Sequence, residues 1–403
     1  MTFETLRAVD KNHPPADWIA DLRQRLPTES EIDRMLTRKM ELRAGPPFSW
    51  PRLEEIAESL RSLLVSELGD AFHEVSDVRW LGGGASKVQV YFELSWTQPD
   101  GVAARTPMVL RMEPAAAIQE TSRRREFQLL KAFDGEVPVP AAYWLDPDGS
   151  QFPYPALVTG FVPGVTKPTA STSGVSGLGT SLAPELRREL GRQFVEHLAT
   201  IHNHDVNDPI LEAFDTPASN RQAIDWQLNA WERVWEEDAD LDIPLMRLAI
   251  AWLRANIREV DRLSVVHADY RTGNYLFTEE DNRITAILDW EGGHIGDRHE
   301  DLAYITNPLF GTADENGTFL VSGLMTEHEF LEAYEEASGL PVDPNAMKYW
   351  KVFNGFKIAA IAVGTAYRIA IGQKTHQDVL VAWLIGTEGV ALEDLRSALE
   401  QVM

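Results

Sequence analysis

The feature that most constrains this 403-residue chain is a run in its second half. Val265-Val266 leads into His267-Ala268-Asp269-Tyr270-Arg271-Thr272-Gly273-Asn274, and Tyr275-Leu276-Phe277 leads out. Shortly downstream, Ile284-Thr285-Ala286-Ile287-Leu288 ends on Asp289. The apolar runs read as short strands around polar turns. Turns favour Asp, Asn and Gly for their backbone geometry, so any one of these residues has a local explanation. The set does not. An acid and an amide in one loop, then a second acid at a strand end, are the parts that phosphoryl transfer from a Mg²⁺-nucleotide requires. Asp269 would orient the attacking hydroxyl and accept its proton. Asn274 and Asp289 would hold Mg²⁺, a hard cation that takes oxygen ligands.

The pattern His-x-Asp-x-x-x-x-Asn followed by a strand-end Asp resembles the aminoglycoside phosphotransferase and choline kinase superfamily, which shares the protein-kinase fold. The resemblance implies an α+β chain of two lobes. A small antiparallel-sheet lobe would span 76–160 and a large, mainly helical lobe 161–403, with 1–75 a helical N-terminal extension outside the resemblance. It implies ATP or GTP and Mg²⁺ as cofactors, and transfer of the γ-phosphate to a hydroxyl of a small molecule. The alternative is a catalytically inactive kinase-like protein that binds a nucleotide or a partner. The intact Asp269, Asn274 and Asp289 argue against it, and the short interval between Asp289 and Asp301 argues against a protein kinase.

Upstream, Val78-Arg79-Trp80-Leu81, the glycine-rich Gly82-Gly83-Gly84-Ala85-Ser86-Lys87 and Val88 to Leu94 read as strand, turn, strand. Glycines let backbone N–H groups approach phosphates closely. The run is not a P-loop, since it lacks the closing Gly-Lys-Ser/Thr and the following helix. Its order in the chain suits a flap over the nucleotide, with Ser86 and Lys87 adding phosphate contacts. In kinase folds a third-strand Lys grips the phosphates and pairs with a helical Glu. Here Pro107 to Glu113 carries Arg111 instead, and a helix over 121–133 offers Glu126. An Arg fork can chelate phosphate, so the exchange is chemically sensible. Ala156 to Gly164 looks like the hinge, whose backbone at Gly160 and Val162 would meet the adenine. Gly164 to Leu182, rich in Gly, Ser and Thr, reads as a flexible connection and a candidate lid.

At the N-terminus, Thr28 with Glu31 three residues later suggests a capped helix start, and Gly45-Pro46-Pro47 a break. The extension is expected to pack against one lobe. Asp297 or Asp301 is expected to hold the catalytic loop through His267 or Arg271. His202-Asn203-His204-Asp205 reads as helix-end capping and surface before a metal site. The formal charge of −25 and a pI near 4.8 repel nucleic acid and anionic membranes. No cysteine is present, so disulfides and thiolate zinc sites are excluded. The start lacks the apolar core of a signal peptide, and Ile358 to Ile371 is too short to span a bilayer. A cytoplasmic monomer or homodimer is the simplest expectation. Between Ala223 and Trp252 four tryptophans accompany Glu236, Glu237, Asp238, Asp240 and Asp242. If solvated near the acceptor site, these acids would favour an aminoglycoside-like or amino-alcohol acceptor, and the rings an apolar alcohol. An acyl-CoA acceptor, which the resemblance to acyl-CoA-dehydrogenase-linked kinase domains implies, would need a basic patch for its phosphates that this stretch lacks.

Overall fold

The computed structural model describes residues 9–82, 87–169 and 179–403. Three helices come first: α1 (Ala16–Arg25), α2 (Ser30–Leu42) and α3 (Leu53–Leu68). Period-two alternation then builds the small lobe. Strands β1 (Phe72–Trp80), β2 (Val88–Thr97), β3 (Ala103–Met112), β4 (Ala142–Asp146) and β5 (Ala156–Gly160) form one antiparallel sheet in the order β1-β2-β3-β5-β4, with α4 (Arg123–Ala132) between β3 and β4. Val88, Val90, Phe92 and Leu94 of β2 and Met108, Leu110 and Met112 of β3 share one face and pack on Ile56, Leu60, Leu63 and Leu64 of α3. Burying each side chain of this size is worth roughly 1.5–3 kcal/mol before ordering entropy is counted. Alternation places Arg111 on the opposite face of β3, toward the large lobe.

The large lobe begins with α5 (Pro184–Asn203), α6 (Asn220–Asp238) and α7 (Pro244–Ala255). Short strands follow: β6 (Ser264–Val266) pairs with β9 (His294–Gly296), and β7 (Tyr275–Thr278) pairs with β8 (Arg283–Ile287). Then come α8 (His299–Ile305), α9 (Glu327–Ser338), α10 (Pro344–Ala359), a π-helical turn at Ala360–Thr365, α11 (Ala366–Gly372), α12 (Asp378–Gly386) and α13 (Glu388–Glu400). Leu129, Leu130 and Phe133 of α4 join the large-lobe core. The apolar run expected to be short is continuous over Pro344–Gly372, 29 residues, long and apolar enough to cross a bilayer by composition. Its most apolar window is 67% buried inside the protein, which accounts for its hydropathy.

The extension differs from expectation in two ways. It packs against both lobes: α3 covers the small-lobe sheet, while α2 lies between α4 and α6. Glu29 pairs with Arg125 and Glu31 accepts from the Ser122 hydroxyl, both on the α4 side. Lys39 meets Glu237 at 2.9 Å and Asp238 at 3.2 Å on α6. Thr28 is also not a cap. Its hydroxyl donates to the Trp226 carbonyl, and Glu29 occupies the cap position without a side-chain bond.

Candidate active site

The loop 267–274 joins β6 to β7 and is held in a demanding conformation. Ala268 and Asp289 both have left-handed backbones, with φ of 68° and 59°. Non-glycine residues persist there only where neighbours over-determine them. Asp301, in the first turn of α8, accepts the His267 and Ala268 amides, each at 2.7 Å. Of the two carboxylates considered, Asp301 therefore holds the loop, and it does so through backbone. Asp297 instead binds His299 and the Trp350 indole. His267 accepts the Asp269 amide on Nδ1 (3.3 Å) and donates from Nε2 to the Leu288 carbonyl (3.0 Å). Burial pushes its pKa down and outweighs the nearby carboxylates. A neutral imidazole thus ties the loop to the strand end at Asp289.

Asp269 is oriented by three donors. Its Oδ1 accepts from the Tyr304 hydroxyl (2.7 Å) and Arg271 Nε (3.0 Å), and its Oδ2 from Asn274 Nδ2 (2.6 Å). Burial and the Asp269 charge push the Tyr304 pKa well above its ordinary value, so the phenol remains a donor. Asn274 spends its amide hydrogens on the carboxylate and the main-chain carbonyl of Asp269. Its Oδ1 accepts nothing from the described residues, and the same holds for Asp289 Oδ2. These are two oxygen donors of the kind Mg²⁺ takes when substrate phosphates complete its shell. The residues fit the ion.

Arg111 bridges the lobes. Its Nη1 lies 2.6 Å from Glu126 Oε1 and its Nη2 3.0 Å from Asp289 Oδ1. Burial alone would raise the Glu126 pKa, but Arg111, Arg123 and Lys87 outweigh it and hold it below the ordinary range. Asp269, Asn274, Asp289, Arg111 and Glu126 thus meet in one cleft.

A family model described as the phosphotransferase enzyme family matches residues 78–350. The chain belongs to that family. Among curated proteins it is 28% identical over 278 residues to mouse acyl-CoA dehydrogenase family member 10, covering 66% of this chain and 25% of that protein. It is 27% identical to human acyl-CoA dehydrogenase family member 11, covering 67% and 34%. The chain thus spans a quarter to a third of the length of these relatives. Solved structures share the fold. A candidate aminoglycoside phosphotransferase of Ralstonia eutropha superposes with a TM-score of 0.61 at 22% identity, over 85% of this chain and 98% of that one. The ethanolamine kinase of Plasmodium vivax gives 0.53 at 14%, over 92% and 99%.

Several family-site expectations meet different surroundings here. Gly83, Gly84 and Ser86 lie outside the described residues, as do 170–178 of the candidate lid; Gly82 precedes the first gap. The rest of that connection is pinned, with Val165 paired to Phe277 and Thr169 bonded to Glu279. Lys87, expected at the phosphates, is 1% exposed and spent on Glu113 (3.3 Å), Thr121 (3.3 Å) and Glu291 (3.2 Å). In the hinge segment the Gly160 amide already donates to the Ala141 carbonyl and the Phe161 amide to that of Pro107. The Val162 amide has no backbone acceptor among the described residues.

The acidic stretch divides: Glu237 and Asp238 are buried against cations, whereas the Glu236, Asp240 and Asp242 side chains are 33%, 58% and 62% exposed, as a solvated face would be. Glu236 pairs with Arg25, Glu237 with Arg233 and Lys39, Asp238 with Lys39 and Arg43, Asp240 with Arg368 and Asp242 with Arg247. His202, read as surface, is fully buried between the Tyr334 hydroxyl (2.8 Å) and Asp301 (3.1 Å).

Sequence reasoning missed Tyr304 and Lys357. Tyr304 follows Asp301 by one helical turn, a spacing that puts both on one face toward the loop. Lys357 has no local signal. It reaches from α10 to the Ala268 carbonyl (2.9 Å) and to Glu300 (3.4 Å), over the rings of Tyr304 and Trp231.

Proposed function

We propose that the protein is an ATP- and Mg²⁺-dependent phosphotransferase that moves the γ-phosphate to a hydroxyl of a small molecule. The observation that carries this reading is the convergence of a three-donor Asp269 with the unspent oxygens of Asn274 and Asp289. Asn274 and Asp289 would hold the ion, which supplies charge neutralisation at the phosphates. Asp269 orients the acceptor hydroxyl and takes up its proton. Arg111, anchored on Glu126 through Nη1, would exchange its Nη2 contact with Asp289 for a phosphate oxygen. The Val162 amide is the hinge donor left for the base.

A cationic acceptor is less favoured, because each carboxylate counted for it already pairs with a cation, Glu237 and Asp238 in full burial. Trp231 and Trp235 are buried. Of the four tryptophans, the half-buried Trp226 and Trp252 remain to favour an apolar alcohol. The test is a panel containing apolar alcohols, amino alcohols, an aminoglycoside and a hydroxyacyl-CoA thioester, assayed for phosphate transfer at low and high salt. An apolar alcohol should be turned over with kcat/KM nearly independent of salt. Turnover of a cationic acceptor that falls steeply with salt would contradict the assignment.

One observation favours the inactive alternative: the Arg111–Asp289 ion pair occupies an oxygen of a proposed metal ligand. If that reading held, nucleotide would bind without Mg²⁺ and no acceptor would be phosphorylated.

A further inference from the structure

Lys357 on α10 is 3% exposed and, among the described residues, bonds none of Asp269, Asn274 and Asp289. It is nonetheless built into their surroundings. Its Nζ donates to the Ala268 carbonyl at 2.9 Å and lies 3.4 Å from Glu300 Oε1. The shorter contact falls within the ordinary range of an N–H···O hydrogen bond and the longer one outside it. A lysine kept only as counter-ion to Glu300 would show the reverse order.

The bonded carbonyl decides the consequence. It belongs to the peptide unit between Ala268 and Asp269, and among the described residues Lys357 is its only donor. The N–H of the same unit donates to His267 Nδ1 at 3.3 Å. The unit is therefore held at both ends. Its plane fixes the direction in which the Asp269 side chain leaves the backbone. Ala268 needs that hold, because its φ of 68° puts a residue with a β-carbon in the left-handed region.

A second route runs through Tyr304. The Lys357 ammonium lies 5.1 Å from its ring, and its hydroxyl donates to Asp269 Oδ1 at 2.7 Å. The attraction between a cation and an aromatic face holds the ring in place. Both routes end on the same carboxylate. The lysine itself sits on a fixed stretch of helix. One turn earlier, Asn354 donates to the Glu300 carbonyl at 2.9 Å. Just beyond it begins the π-helical turn, whose Thr365 hydroxyl donates to Asp238 at 2.8 Å.

We propose that Lys357 is a positioning residue for phosphoryl transfer. It locks the Ala268–Asp269 peptide plane and the Tyr304 ring, and so aims the Asp269 carboxylate at the acceptor hydroxyl without touching substrate. The inference rests on the phosphotransferase reading and deepens it. Misplacing a reacting group by about 1 Å can cost about 10²-fold in rate. The effect should therefore fall on kcat and spare nucleotide binding.

The experiment compares the full chain with Lys357→Met, Glu300→Gln and the two substitutions combined. Transfer from Mg²⁺-ATP is measured to the panel acceptor that the parent turns over fastest, or to water if it turns over none of them. Lys357→Met keeps the aliphatic stem but leaves Glu300 buried without its cation. The combined variant removes both charges and should melt near the parent. Its kcat should fall about 10–100-fold, with the Kd for Mg²⁺-ATP within about twofold of the parent. Glu300→Gln alone keeps the Ala268 bond and should lose less. In an Asp269→Ala background, Lys357→Met should not lower the residual rate further, because both act through one carboxylate. A combined variant with the parent's kcat, or losses at 269 and 357 that multiply, overturns the positioning role and leaves the phosphotransferase reading standing. So does nucleotide affinity that falls in step with kcat, the mark of a general structural defect. A parent that transfers phosphate to no acceptor, water included, removes the phosphotransferase reading and this inference with it.

Discussion

Two buried ionic clusters in this molecule use the same residue types to opposite ends. At the catalytic cleft, where Arg111, Glu126, Asn274, Asp269 and Asp289 meet, Asn274 Oδ1 and Asp289 Oδ2 accept nothing from the described residues, and the Asp269 and Asp289 side chains remain 31% and 32% exposed. Between α2 and α6, Lys39, Arg43, Arg233, Glu237 and Asp238 are 0–8% exposed and paired with one another. A cluster compensated internally serves architecture. A cluster with spare ligand capacity at the edge of a cleft serves chemistry. The difference lies in which atoms still lack a partner, and composition does not show it.

The largest expected effect is at the open cluster. Asp269→Ala should lower kcat by about 10²–10⁴-fold while changing the KM for ATP little, because the carboxylate acts as the hydroxyl loses its proton. Steady-state kinetics with a confirmed acceptor checks this. Turnover within about tenfold of the parent, ~1.4 kcal/mol, would remove Asp269 from its role.

The closed cluster should respond in stability. Burial would push the Asp238 pKa up, but Lys39 and Arg43 outweigh it and hold it at about 2. A carboxylate depressed below its unfolded value of 3.8 contributes stability that is complete above that value and lost as pH falls toward 2. Asp238→Ala strands buried cations and should cost about 3–5 kcal/mol in urea denaturation at pH 7. Asp289→Ala, in the open cluster, should cost far less. Equal losses from the two would erase the contrast.

How much of this was legible in the sequence follows the same line. The spacing of Asp269, Asn274 and Asp289 pointed to the catalytic strip, because one loop and one adjacent strand position all three. The Arg111–Glu126 pair was legible through the kinase-fold resemblance, which implies a cation on the third strand paired with an acid on the following helix. The closed cluster was not legible. Its members come from residues 39 to 43 and 233 to 238, and no local period reports that two distant helices meet. Glu237 and Asp238 therefore read as part of a solvated face, and the extension as belonging to one lobe. Lys87 misled for a similar reason: its place beside a glycine-rich turn said phosphate, while Glu113 and Glu291, distant in sequence, claim its ammonium.

A smaller effect sharpens the comparison within the open cluster, at the residue that bridges the lobes. Arg111→Met should weaken ATP binding by about 10–100-fold, the loss of charge-assisted hydrogen bonds worth about 1.5–3 kcal/mol. Arg111→Lys should recover part of it, since a point charge cannot copy a two-pronged fork. Normal ATP affinity in the Met variant would leave Arg111 a structural brace.

The smallest effect concerns Glu120. Its folded pKa near 8 lies above the ordinary 4.5, so the parent loses stability as pH rises between these values. Glu120→Gln should therefore gain on the parent in melting experiments toward pH 8 and converge with it in acid. A constant difference across that range would mean that Glu120 is charged at neutral pH.

The central claim, that the open cluster is a Mg²⁺-nucleotide site, is tested most directly by isothermal titration of ATP into the parent with Mg²⁺, the parent without Mg²⁺, and Asp289→Ala with Mg²⁺. Binding should be tight in the first and clearly weaker in the other two, because the ion would link Asn274 and Asp289 to the phosphates. The same affinity in all three would contradict it.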